Sequence, residues 1–250
     1  MVVSLFTIAV FVASLTIGLI PALIDGIRKP MAERMNASAT AIDWCVRLFY
    51  FTWLIAMPAA GYSLDAWPVY SKELLYFSQV GVIVALTWLG VVRSLAPTAL
   101  FIALLAIAYS WVATSAFRLM ALAYFANASP YASLNVGFVA VGLGALVGMW
   151  IARAIEHWGG YRQSLLAVSV GLIAPPALVA LCDHTDFTSR QAIVVSWEDV
   201  LVHPQLALVV GLILVYFAVE NCLEFWQESY LKELGYLEAV IDLRTADSSC

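Results

Sequence analysis

Charged and strongly polar side chains inside long apolar stretches are the places where this chain can do chemistry. Arg118 stands within the apolar stretch 97–125, about eight residues from its end. Asp25 follows Pro21 at the end of the first stretch, and Glu220, Asn221 and Glu224 stand in the last one. A charge in hydrocarbon is costly, so such groups face protein or water. The long stem of Arg118 can carry its charge to the interface. A desolvated Glu220 has a raised pKa and can exchange a proton; the plainer alternative is a polar helix contact, with Glu224 interfacial. At the helical rise, Glu220 lies roughly 24 Å and Arg118 roughly 12 Å from one membrane face, so no direct pair is expected. Asp43 and Arg47, four apart, are expected to pair on one helix face. Trp111, like Trp53 and Trp88, is interior; an indole there stacks on a sugar ring or packs against a helix or lipid.

Positioning these groups requires a membrane. Hydrophobic residues make up 63% of the chain and charged residues 12%, against about half and a quarter in soluble domains. Seven stretches approach the roughly 20 apolar residues that cross a bilayer: 3–25, 41–60, 74–93, 97–125, 134–154, 164–182 and 205–226. They are called spans one to seven. Span one has no basic n-region and no clear cleavage site, and reads as retained rather than as a signal peptide. Alternation of period two is missing, which argues against a β-barrel. Helices follow, because lipid supplies no hydrogen bonds to the backbone.

Several function classes fall away. The net charge of −5 comes with no basic run, so nucleic acid is not an expected partner. Cys45, Cys182, Cys222 and Cys250 are scattered, and His157, His184 and His203 lie far apart, so neither a metal site nor a cofactor is expected. No H-E-x-x-H, G-x-S-x-G or paired catalytic aspartate motif occurs, and no enzymatic activity is expected. A retinal pigment needs a lysine within the last helix, whereas the lysines are Lys29, Lys72 and Lys232.

The links are short and polar. Residues 26–40 carry Arg28, Lys29, Glu33 and Arg34. Pro97 suits the first turn of span four. Residues 127–133 form a turn-rich break, and 183–203 is the longest link and the one candidate boundary. The expected organisation is a six-helix bundle over 1–182, a loop over 183–203, and over 204–250 a further helix with a polar tail. In span five, Gly137, Gly142, Gly144 and Gly148 supply small positions, the last two as G-x-x-x-G, which lets helix backbones approach in lipid.

Three patterns in order carry a resemblance. Span two ends in Gly61-Tyr-Ser-Leu-Asp65, a G-x-x-x-D. Asn127 to Gly148 joins a turn to a glycine-rich helix. His203-Pro204 through Gly235 places Glu220 and then Trp226 before Tyr-Leu-Lys-Glu-Leu-Gly. In this the chain resembles the major facilitator superfamily of secondary transporters, in particular its sugar-permease-like members. Gly61 and Asp65 stand where the loop motif between helices two and three begins, although the basic residues that follow it in the family are replaced by Ala66-Trp-Pro-Val-Tyr70.

The resemblance implies an all-α membrane protein, a six-helix amino-terminal bundle of the major facilitator type plus a seventh transmembrane helix. It implies alternating access for a small polar solute, sugars favoured, moved with H⁺ or Na⁺. Arg118, Trp111, Asp25, Glu220 and Asn221 become substrate-binding or coupling candidates. A bacterial inner membrane is the expected setting and membrane lipid the expected surroundings. The family has twelve helices with the substrate between two halves. Polar residues after Gly235 replace an eighth span, so this chain is expected to be a truncated portion that needs a second half or another protomer. A non-transporting membrane scaffold or receptor is the alternative. The family places the N-terminus in the cytoplasm, whereas Arg28, Lys29, Arg34, Arg93, Arg153 and Arg162 on the opposite face argue for the reverse. Both orientations stay open.

Overall fold

The computed structural model describes residues 4–124, 130–158 and 160–184, together with Phe187, Leu208, Leu212, Val215 and Val219. The chain divides into two compact units, Met1–Ala192 and Ile193–Cys250. The described residues are helical, with no strand among them. In the first unit the helices are α1 (Leu5–Gly26), α2 (Arg28–Met35), α3 (Ala39–Ala66), α4 (Ser71–Val91), α5 (Leu95–Ala123), α6 (Pro130–Trp158), α7 (Tyr161–Gly171) and α8 (Ala174–Leu181). Among the described residues, six segments are long and apolar enough to cross a membrane: α1, α3, α4, α5, α6, and α7 with α8. These are spans one to six, and the chain reads as an integral multi-pass membrane protein. In the second unit Leu208, Leu212, Val215 and Val219 are helical and exposed. Their spacing puts them on one helix face. The rest of span seven, with Glu220 and Asn221, lies outside the described residues.

Local chemistry sets the ends. Ser4 caps α1, its Oγ accepting the Thr7 amide at 3.1 Å, and Ser38 caps α3 by accepting the Ala41 amide at 3.2 Å. Span two runs on through Asp65 to Ala66, past the expected end at residue 60, and continues through Pro58. The link after span one holds a helix that its polarity concealed. Met31 and Met35, one turn apart, are buried against the core, and Asn36 ends α2 in the left-handed region at φ 49°. Span six breaks between α7 and α8, where Pro175 and Pro176 withhold the amides that would have bonded Gly171 and Leu172.

Successive spans alternate in direction, so one face of the unit gathers residues 26–39, 91–95, 158, 160 and 161. The other gathers Ser4, residues 66–71 and residues 181–184. The most extensive packing is span one on span five, followed by span two on span four and span three on span four. Span one also meets spans four and six, span three meets span six, and span four meets span five.

The one–five contact is backbone against backbone. A Cβ on Gly18 would lie 1.8 Å from the Val141 carbonyl oxygen, and one on Gly144 would lie 2.0 Å from that of Leu15. Gly148 faces Leu19 and Gly26 faces Ala152, while Gly137 packs on Met120 of span four. Gly142 departs from the packing role expected of it. It has open space around it, because two residues along a helix is about 200° of rotation away from Gly144.

Candidate functional site

Span two lies along span four, and polar side chains mark that seam from end to end. At one end Tyr50 donates its hydroxyl hydrogen to Asp25 of span one. Arg28, at the start of α2, also bonds Asp25 and reaches Asp43 at 3.5 Å. Two carboxylates thus share one guanidinium. Burial pulls the Arg28 pKa down, but the hydrogen bond and charge of Asp25, with Asp43 behind, outweigh it and leave the pKa raised. The expected Asp43–Arg47 pair is not formed. Asp43 turns to Arg28, and Arg47 stacks over the Trp44 ring at 5.1 Å.

An aromatic cluster follows where spans one, two and four meet. Tyr50 lies 6.3 Å from Trp53, and Tyr109 lies 5.4 Å from Trp53 and 5.7 Å from Phe49, centroid to centroid. Tyr109 is buried and donates to the Ile17 carbonyl of span one at 2.7 Å. The Trp53 indole nitrogen is buried with no hydrogen-bond partner among the described residues. A donor of that kind in an apolar setting is an unmet requirement.

The far end carries Trp111 and Arg118. Trp111 donates to Ser63 Oγ at 2.9 Å and lines an apolar crevice of about 450 Å³ between spans three and four, with Phe77 and Phe101. Arg118 is mostly buried and donates to the Leu64 carbonyl at 3.1 Å and to Asp65 at 3.2 Å. The structure therefore joins two of the sequence candidates, Arg118 and Asp65, and sets Asp25 at the opposite end of span two. Gly61 is a helix residue with open space around it.

Sequence reasoning missed Tyr50 and Tyr109. The signal was present for the first: Asp43, Tyr50 and Trp53 stand at spacings of seven and three, which share one helix face. Tyr109 shows no such pattern, since its partner is a backbone carbonyl on another span.

Two further contacts brace the bundle at the face that holds Arg118. Lys72 donates to the carbonyls of Ala180, at 3.3 Å, and Cys182, at the end of α8. Glu73 lies 3.3 Å from His184.

Chemically, the seam offers a carboxylate pair held by one cation, an aromatic face with a free donor, and a buried guanidinium. Comparison of the chain with protein-family models, with curated proteins and with solved structures returned no match.

Proposed function

We propose that the six spans of the first unit are one lobe of a secondary transporter of the major facilitator type, set in a bacterial inner membrane. The lobe moves a small polar solute, with sugars the favoured class, by alternating access coupled to H⁺ or Na⁺. The observation that carries this reading is a reciprocal packing pattern. Transporter lobes of this type are built from two three-helix repeats of opposite topology. If spans one, two and three correspond to four, five and six, then a one–five contact requires a two–four contact. Likewise a three–four contact requires a one–six contact, while one–four and three–six map onto themselves. All six contacts occur. Because three spans separate the repeats, the correspondence inverts direction. The four–five contact is the departure, having no one–two counterpart of similar extent.

Side chains add support. The loop after Asp65 carries no basic residue before Lys72, and Asp65 instead takes its cation from Arg118 on span four. The aromatic cluster suits a sugar ring, and Asp25 suits the coupling ion. Spans two and five, which correspond, expose broad apolar faces such as Phe51, Leu54 and Ile55 on one and Phe138, Val139 and Leu146 on the other. Such faces suit lipid or a facing lobe.

The test is binding of radiolabelled mono- and disaccharides to the purified chain by scintillation proximity, with Trp53→Phe as comparison. Saturable binding of at least one sugar, weakened roughly tenfold by the substitution, is expected. Failure of every sugar to bind, or equal binding to the variant, overturns the sugar-site reading.

A further inference from the structure

We propose that the cleft on the basic face, between α2, the end of span three and the start of span six, binds a phosphate-bearing anion. The cleft measures about 570 Å³ and is lined by Lys29, Glu33, Arg34, Arg93, Glu156 and Tyr161. Lys29 is occupied by Glu156 at 3.0 Å. Arg34 has no carboxylate within ion-pair distance among the described residues. Its guanidinium carbon lies 5.7 Å from the Tyr161 ring centre, and its Nε is buried without a hydrogen-bond partner. Tyr161 is 7% exposed, and its hydroxyl is also buried without a partner.

Arg34 is half-buried, and the ring face replaces little of the hydration it loses, so an anion beside it is favoured. The lining carries three cations, Lys29, Arg34 and Arg93, against two carboxylates, Glu33 and Glu156, which leaves the cleft one positive charge in excess. The start of α7 adds donors. Its cap is Gly160, at φ 78°, which has no side chain to accept the first-turn amides. A helix start carries partial positive charge and exposed N–H groups, and favours an anion. A guanidinium fork, a phenol and a helix start around one cavity match a tetrahedral group with several acceptor oxygens. The cleft lies at the helix ends, the depth of lipid headgroups, where basic pockets between spans take anionic lipids. A free phosphate has the same chemistry.

The experiment uses the full chain in detergent, with thermal midpoints and native mass spectrometry in the presence of phosphatidylglycerol, phosphatidylcholine or inorganic phosphate. Phosphatidylglycerol is expected to bind roughly tenfold more tightly than phosphatidylcholine, with Arg34→Gln abolishing the preference and Arg34→Lys restoring part of it. Arg153→Gln, outside the cleft, should leave the preference intact. Stabilisation by phosphatidylglycerol alone identifies a headgroup site, and stabilisation by inorganic phosphate as well identifies a site for the free anion; both support the proposal. Should Arg34→Gln fail to fold, exposed Arg93→Gln supplies the same comparison. Equal binding of the two lipids without a phosphate response, or a preference unchanged in these variants, overturns it.

Discussion

Arg118 is the residue on which the far end of the seam depends most, because it is a mostly buried cation that ties span four to the end of span two. Arg118→Gln should destabilise the protein in detergent by about 1–3 kcal/mol, since it leaves the Leu64 carbonyl and Asp65 without their charged donor. Asp65→Asn should cost less, and a double-mutant cycle should return a coupling of about 1 kcal/mol. Additivity would show that the pair does not hold the two spans together. At the other end, Tyr50→Phe removes one donor from Asp25 and should cost about 1.5 kcal/mol, read from chemical unfolding. Lys29 gives a pH test. Its pKa is raised by the hydrogen bond and charge of Glu156. A raised lysine pKa contributes stability that is complete below the ordinary value, about 10.4, and is lost as pH rises through the raised one. The stability gap between wild type and Lys29→Met should therefore be present at neutral pH and close in strong alkali. A gap that persists there would assign it to packing of the stem.

Among elements, the span one–five interface is the most exacting. Gly18→Val would place side-chain atoms on a carbonyl less than 2 Å away. It should destabilise by about 3 kcal/mol, whereas Gly142→Ala, in open space, should be neutral or slightly stabilising. Equal effects in thermal unfolding would refute the backbone contact. Half of this interface was legible: Gly144 and Gly148 stand out as G-x-x-x-G. The complementary ridge is equally regular, as Ser14, Gly18, Ala22 and Gly26 recur every four residues, but a serine and an alanine disguise it. Spans were readable because hydrocarbon imposes length and apolarity on them. The short α2 was not, because its only apolar signal is two methionines one turn apart. The Asp43–Arg47 expectation failed for a related reason. Helical spacing permits a pair, but Arg28, from a neighbouring element, offers Asp43 a cation that also satisfies Asp25.

For the molecule as a whole, alternation of the six spans makes a topological prediction. With native cysteines replaced, single cysteines at Asn36 and Val69 should react with a membrane-impermeant maleimide from opposite sides of intact cells. Labelling from the same side would refute the six-span arrangement, and the side on which Asn36 reacts decides between the two orientations. The pairing of spans one and five also bears on biogenesis. Helices enter a bilayer singly and associate afterwards. The first span leaves the ribosome more than a hundred residues ahead of its main companion, so it waits in the lipid with its glycine notch unfilled. During that interval the notch is open to any small-residue helix nearby, and quality-control factors that survey unassembled membrane segments would meet the newborn protein there first.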